Sequence, residues 1–408
     1  MQKPSKLAQT PQIRFAGFTK PWEIRKFSDT FVFLQNNNLS RAELTDLNGK
    51  IINIHYGDIL IKYAAILNIK KNDLTYVLDN SIIKKYQSST LQNGDIIIAD
   101  AAEDQSVGKC SEITGLTNEI VLSGLHTIPC RPNEKYAKGF LGHYMNSNSY
   151  HDQLLPLLQG TKVSSISKSA LQNTDIIYPT NQAEQQKIGE LFANLDNLIT
   201  LHQSKFEKLQ KIKKSCLQNL FPQNNQNTPK IRFKNFSDEW VERKADEICT
   251  IETGKSNTQD QNDNGKYPFY IRSDKPVRSN KFLYDCEAVI TIGDGSIGKV
   301  FHYVKGKFDL HQRCYKMTDF KDVTGKYFYY YFSTKFYDRA MKMTAKATVD
   351  SVRLEMISDM FFSIPNNLAE QCKISEFFTK LDKLITLQQR KVEKLKDIKA
   401  AMLSKAFI

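Results

Sequence analysis

Two stretches of the chain place apolar residues on alternating three- and four-residue spacings, the period of a helix with one buried stripe. In the first they fall at Ile188, Leu191, Leu195, Leu198, Leu209, Ile212 and Cys216; in the second at Ile374, Phe377, Leu381, Leu384, Leu395, Ile398 and Met402. The spacing predicts two long helices whose seams pair as a coiled coil. Each starts beyond a proline, Pro179 or Pro365, with Asn181 three residues ahead of Glu184 and Asn367 three ahead of Glu370, a capping-box pattern with Asn as the cap. Apart from Gly189, no glycine or proline interrupts them. A helix of 39 residues extends about 58 Å, too far to be buried in one small domain. At mid-length the frame passes through His202 and Lys205 in one helix and Gln388 and Lys391 in the other. Such a polar belt penalises shifted registers, unless the lysines simply reach out to solvent.

Elsewhere the period shortens. Gly94-Asp-Ile-Ile-Ile-Ala and Glu287-Ala-Val-Ile-Thr-Ile are short, β-branched and bounded by Gly or an acid, as strands are. Tyr327–Phe332 is ambiguous by period; it offers either base-stacking rings or an aromatic core element, and the core element is the better reading.

The chain is written twice. Pro11-Gln-Ile-Arg-Phe-Ala-Gly-Phe matches Pro229-Lys-Ile-Arg-Phe-Lys-Asn-Phe, each followed by Trp22 or Trp240 and by Arg25-Lys26 or Arg243-Lys244, at an offset of 218. Residues 183–221 match 369–407 at an offset of 186, with 22 of 39 positions identical. The difference of 32 between the offsets places that many extra residues in the first half. The expected architecture is α+β: two mixed α/β domains (1–180 and 230–365), each followed by a long helix (181–221 and 366–408), with a polar, proline-bounded linker at 222–229. The helices would pair antiparallel, and the repeat would give a pseudo-twofold. Gln9-Thr10-Pro11 echoes Asn227-Thr228-Pro229, so the termini are expected close together and a circular permutant is expected to work.

Composition narrows the function. Lys plus Arg at 57 against Asp plus Glu at 44 leaves +13, a field that favours a polyanion. The opening residues hold no apolar signal core and no stretch approaches a membrane span, which points to the cytoplasm. Seven scattered cysteines show no C-x-x-C spacing, and seven histidines no metal spacing. Gly293-Asp-Gly295-Ser-Ile-Gly298 spells a dinucleotide fingerprint, but Lys299–Val304 reads as a strand rather than the helix such a turn must open. Gly254-Lys255-Ser256 lacks the earlier glycine of a phosphate loop, since Cys249 stands there. No Pro-Pro pair exists for an amino-methyltransferase motif. The chain is expected to carry no chemistry of its own.

With Ile-Arg-Phe then Trp opening each half, and Pro-x-x-x-x-Glu-Gln-x-Lys-Ile leading into each long helix (Pro179, Glu184, Gln185, Lys187, Ile188; Pro365, Glu370, Gln371, Lys373, Ile374), the chain resembles the specificity subunit of type I restriction-modification enzymes over essentially its whole length. The resemblance implies two target-recognition domains, each reading one half of a bipartite sequence in double-stranded DNA, on a coiled-coil spacer. It also implies two methyltransferase subunits and two motor-nuclease subunits as partners, making the assembly an adenine-N6 DNA methyltransferase and ATP-dependent endonuclease. S-adenosylmethionine, ATP and Mg²⁺ would then sit on those partners and not in this chain. Because the two domains differ in sequence, an asymmetric target is expected.

Candidate DNA contacts lie in glycine- or proline-punctuated stretches: Lys109, Arg131 and Lys138 in the first domain, and Arg272, Lys275, Arg278 and Arg313 in the second. Their alternative is a solvated surface charge. The basic helix ends, Lys205 to Lys214 and Arg390 to Lys399, read as solvated faces that complement the helix dipole. Rival functions are the targeting subunit of a two-component type IIB-like system and a coiled-coil adaptor that binds no DNA.

Overall fold

The computed structural model describes residues 10–223, 226–344 and 351–408; residues 1–9 and positions 224 and 225 of the expected linker lie outside them. The two offsets of the repeat meet in a two-stranded ribbon. In the first half Glu23–Lys26, just after Trp22, pairs antiparallel with Asp175–Tyr178, just before the first long helix. In the second half Val241–Lys244 pairs with Phe361–Ile364 in the matching register.

The long helices run Gln182–Asn219 and Leu368–Ala406. Asn181 and Asn367 accept from the backbone N–H of Ala183 and Ala369, both at 2.9 Å, so each caps its helix as expected but through the N–H two residues on, and the reciprocal capping box does not form. The glutamates turn elsewhere. Glu184 accepts from Arg14 Nε at 2.7 Å and Nη2 at 2.9 Å, and from the Trp22 indole N–H at 3.2 Å. Glu370 accepts from Arg232 in the same way, at 2.7 and 2.8 Å. Both carboxylates are 1% exposed; a charge so buried needs several donors, which the guanidinium fork supplies and one cap N–H does not. The next residue completes the joint. Gln185 accepts from Ala137 N–H and donates to the Pro179 carbonyl; Gln371 accepts from Thr324 N–H and donates to the Pro365 carbonyl.

The chain divides into two compact units, Met1–Gln203 with Arg390–Ile408, and Ser204–Gln389. In the first unit a five-stranded sheet runs, in spatial order, Phe31–Phe33, Thr127–Pro132, Ile96–Ala99, Cys110–Thr114, Ile66–Asn68. Its last pair is parallel and the others antiparallel. A second sheet, in the order Ile120–Ser123, Ile51–Ile54, Thr75–Val77, Leu44–Thr45, has no counterpart among the described residues of the second unit. The extra length of the first half goes there. The start of the first long helix meets the end of the second: Ile13 N–H donates to the Lys405 carbonyl at 3.0 Å, and Phe407 packs among Trp22, Phe140, Tyr144 and Phe192. Gly189 lets the helix lie directly on backbone, since a Cβ there would sit 2.4 Å from the Lys138 carbonyl oxygen.

In the second unit six strands run in the order Thr250–Thr253, Cys314–Thr318, Tyr284–Ile292, Phe301–Leu310, Tyr267–Tyr270, Val277–Ser279. Gly293–Gly298 joins two antiparallel neighbours of this sheet and opens no helix, and Ser256 Oγ donates to buried Asp309 at 2.6 Å. Tyr327–Phe332 lies in the helix Gly325–Thr344 with most of its rings buried, Phe328 stacking on Phe362 at 4.3 Å. These rings form core and are not a stacking platform. Here the end of the first long helix meets the start of the second: Ile231 N–H donates to the Asn219 carbonyl at 2.9 Å, and Phe221 packs against Tyr327, Tyr331 and Phe378. Within each unit the helices are therefore antiparallel. Pro222 of the expected linker is buried, its carbonyl accepting from Lys335 Nζ at 2.9 Å.

The buried stripe departs from the expected seam at alternate positions. Ile188, Ile374 and Leu381 are buried, and Leu195, Leu209 and Leu395 half-buried, but Leu198, Ile212, Leu384 and Ile398 are 43, 40, 47 and 37% exposed. The stripe passes instead through Phe192, Ile199, Phe206 and Leu220, and through Phe378, Ile385, Val392 and Ala406, each four residues after a seam position rather than three. Both steps belong to a heptad, and in the first half of each helix, at Leu198 and Ile199 or Leu384 and Ile385, the sequence is apolar at both. Leu191 and Phe377, also expected in the seam, lie toward the opening motifs. Leu191 lines an apolar pocket with Ile13, Phe15 and Trp22, and the Phe377 ring packs 6.2 Å from that of Phe233. Of the expected polar belt, His202 and Gln388 are half-buried and Lys205 and Lys391 exposed.

Candidate nucleic-acid interface

In the second unit the central strand Tyr284–Ile292 ends at Gly293, whose N–H donates to the Arg313 carbonyl at 2.7 Å. That pairing sets Asp294 beside two guanidinium groups. Arg313 Nη1 donates to Asp294 at 2.8 Å, and Arg272 Nη1 donates to both of its oxygens at 3.2 Å. His311 Nδ1 accepts from the Arg313 N–H at 3.1 Å. With Thr258, Ile271 and Gly295, residues Arg272, Asp294 and His311 line an open pocket of about 300 Å³. Burial pushes the Asp294 carboxyl up, but the two arginines outweigh it and hold the group below the usual carboxylate range. Burial and then Arg272 push His311 down, so its imidazole adds no charge at neutral pH. Two guanidinium groups against one carboxylate leave a positive edge. Their side chains remain 46 and 61% exposed, and an arginine held by one carboxylate loses little further freedom on meeting a planar acceptor pair.

The other candidates separate by what holds them. Arg278 is exposed and donates to the carbonyls of Gly265 and Lys266 at 2.9 and 2.8 Å, which ties its strand to the neighbouring edge turn. Arg131 forks onto Asp95 at 2.9 and 2.8 Å and donates to the Thr90 carbonyl, holding a carboxylate that is 1% exposed. The Lys109 amine reaches the Leu60 carbonyl at 2.7 Å, and burial pushes it down. Each of these three spends side-chain donors on the fold itself, which Lys275 and Lys138 do not among the bonds described. Lys275 and Lys138 are exposed, Lys138 on the wall of an open cleft of about 1140 Å³ in the first unit.

Sequence reasoning missed the matching place in the first unit. Asp100 N–H donates to the His126 carbonyl at 3.1 Å, the pairing that Gly293 makes with Arg313, and the Asp100 carboxylate lies 3.2 Å from His126 Nδ1. The ring of Tyr56 stands 5.2 Å from His126 and 4.6 Å from His55. Burial raises Asp100 against the opposing pull of His126. His126 has φ 54°, the left-handed region that a non-glycine residue adopts at a cost of about 1 kcal/mol. A lone histidine gives no signal in a sequence; its place opposite the end of a central strand does.

The cleft of the first unit also holds Glu112, 3% exposed, accepting from the backbone N–H of Gly139 at 2.6 Å and Gly142 at 3.0 Å. Burial outweighs these donors and pushes its carboxyl up to about 7. The folded chain then keeps a proton that the unfolded chain has released between the ordinary carboxyl range and pH 7. Stability is expected to fall as pH rises through that window, by at most about 1.4 kcal/mol per pH unit, and to level off above it. Urea unfolding of wild type and Glu112→Gln across the window checks this: the variant is expected to lose the slope.

Among the described residues no helix is long and apolar enough to cross a membrane, and no group of three His, Cys, Asp or Glu is arranged to hold a metal. The family model of the type I restriction modification DNA specificity domain matches residues 19–213 and again 237–397. The chain belongs to this family. The first match takes in the five- and four-stranded sheets, Glu184, Gln185 and most of the first long helix; the second takes in the six-stranded sheet, Glu370, Gln371 and most of the second. The chain is 26% identical over 160 residues to the type I restriction enzyme EcoDI specificity subunit of Escherichia coli, covering 39% of this chain and 34% of that protein. It is 25% identical over 223 residues to the type I restriction enzyme MjaVIII specificity subunit of Methanocaldococcus jannaschii, covering 53 and 48%. The matched part thus spans less than half the length of either relative. The fold is similar to the crystal structure of a type I restriction-modification system S subunit from M. genitalium, with a TM-score of 0.70, 14% identity and coverage of 98 and 99%.

Proposed function

We propose that this chain is the DNA-recognition and scaffold subunit of a type I restriction-modification assembly. Each α/β domain reads one half of a bipartite, asymmetric target and the long helices set the gap. The chain itself catalyses nothing. Methylation and ATP-dependent cleavage belong to two methyltransferase and two motor-nuclease subunits, which bring S-adenosylmethionine, ATP and Mg²⁺, and the assembly works in the cytoplasm.

The observation that carries this reading is the doubled specificity domain, with an acid-held basic edge at the end of each central strand. One edge is Arg272 and Arg313 on Asp294; the other is His126 on Asp100 beside Tyr56. Paired arginine N–H groups suit the two acceptors of guanine in the major groove, whereas an imidazole beside a phenol makes different contacts. The halves of the target should therefore differ. The repeat also leaves identical leucines exposed on both helices, Leu198 and Leu201 on one, Leu384 and Leu387 on the other, at 43 to 48%. Two equivalent apolar faces suit two copies of one partner.

Arg313→Ala is expected to change the base preferred at one position of one half-site. Lys275→Ala is expected to weaken binding uniformly and reduce the salt slope by about one unit. Methylation mapping in cells that carry the chain with its methyltransferase, combined with salt titration of binding, checks both. An unaltered recognition motif in a folded Arg313→Ala variant contradicts the assignment of that edge.

A further inference from the structure

Where each α/β domain touches the two long helices a polar cluster joins all three elements, and the repeat builds it twice. In the second unit Asp382, on the second helix, accepts from Lys213 of the first helix at 2.5 Å through Oδ1 and from the Tyr330 hydroxyl of the domain at 2.9 Å through Oδ2. In the first unit Asp196, on the first helix, is paired through Oδ1 with Lys399 of the second helix, while its Oδ2 faces His143 Nε2 of the domain at 3.8 Å. The offset of 186 lays Asp196 on Asp382, Lys213 on Lys399 and Phe192 on Phe378. The rings of Phe192 and Phe378 back His143 and Tyr330 at 5.4 and 5.1 Å. The two helices have exchanged roles, and the domain side chain has changed from tyrosine to histidine.

Stability does not account for these clusters. The carboxylates and amines are 21 to 33% exposed, and ion pairs that keep water contribute about 0 to 1 kcal/mol; apolar side chains in the seam would hold the helices at least as well. What the cluster supplies is geometry. One carboxylate spends one oxygen on the other helix and the other on the domain. Sliding either helix by a residue, about 1.5 Å and 100° of turn, breaks both contacts together. The first cluster is the looser: His143 is 1% exposed, its Nε2 has no hydrogen-bond partner among the described residues, and burial followed by Lys399 pushes the imidazole down to about 3, leaving it neutral.

We infer that Asp382 with Tyr330 and Lys213, and Asp196 with His143 and Lys399, are positioning residues that fix how each recognition domain is seated on the helix pair, and so which gap length a bipartite target must have. This rests on the recognition-and-spacer reading above. Tyr330 makes the stronger tie, so the second domain carries most of the discrimination.

The test uses the full chain with its methyltransferase in cells and maps methylation over the genome by gap length. Wild type is expected to methylate a bipartite motif at one gap. Asp382→Asn and Tyr330→Phe, the latter removing a single hydroxyl, are expected to keep both half-site sequences while raising methylation at gaps one base pair longer or shorter by about tenfold, the scale of one lost hydrogen bond to a charged group. Exchanging the pair, Lys213→Asp with Asp382→Lys, is expected to restore part of the discrimination. His143→Tyr is expected to narrow any residual spread of gaps. A merely structural role lowers methylation at all gaps alike, and an unchanged gap distribution in both Asp382→Asn and Tyr330→Phe overturns the inference. A wild-type map without a bipartite motif overturns the underlying reading as well, which separates the two failures.

Discussion

Phe407→Ala is expected to destabilise the first unit by about 4 kcal/mol, the cost of emptying a well-packed phenylalanine site. Phe407 is 3% exposed, and its ring lies within 6.4 Å of the rings of Trp22, Phe140, Tyr144 and Phe192. None of these neighbours is on the element that carries it, so the ring closes a core assembled from the opening motif, the domain and the start of the other helix. Phe221→Ala does the same in the second unit, where Tyr327, Tyr331 and Phe378 surround a fully buried ring. Urea unfolding followed by tryptophan fluorescence separates the two, because Trp22 reports one core and Trp240 the other. Each variant is expected to shift the transition of its own unit. A Phe407→Ala protein that melts with unchanged midpoint contradicts the packing described for the first unit.

Inserting one heptad into each long helix, after Gln203 and after the repeat-matched Gln389, is expected to lengthen the gap in the recognised sequence by about three base pairs. Seven residues add about 10 Å of rise and bring the apolar stripe back to the same face, so the helices still pair. With about 3.4 Å per base pair, that length corresponds to three steps of duplex. Four residues in a single helix would instead rotate the stripe by about 40° and leave the partner helix too short. Methylation mapping reads the outcome directly: both half-sites unchanged, the gap longer. An insertion protein that methylates with the original gap shows that the helices do not set the spacing.

The repeat made the frame legible from sequence because the residues that recur are those that join domain to helix. Arg14 and Glu184, or Arg232 and Glu370, are far apart in the chain but bound to each other, so neither motif holds its place without the other. The seam was half legible. Three and four residues after Ile188, Leu195, Ile374 and Leu381 the sequence is apolar at both places, and there only packing, as of Phe192 and Phe378, decides which line turns inward. The second sheet of the first unit was not legible, since its two- to four-residue strands carry too little periodicity. Basic side chains were the least legible. Arg131 and Arg272 stand in similar punctuated stretches, yet one is locked on Asp95 beside a turn carbonyl and the other keeps half its surface in water. Lys213 and Lys399, read as part of solvated faces, are paired with carboxylates of the opposite helix. Charge in a sequence says nothing about which acceptor the fold brings near.

The first unit is built from two separated pieces of chain, residues up to Gln203 and residues from Arg390 onward. On the ribosome, therefore, its opening domain waits without its closing helix end, the Phe407 site open, until translation has run through the whole of Ser204–Gln389. The uninterrupted unit lies wholly before Arg390 and can mature first, while the unit holding the earlier-made domain closes later. Premature termination anywhere in the final turns of the second helix would leave the earliest-made domain as the casualty, with the later-made one intact.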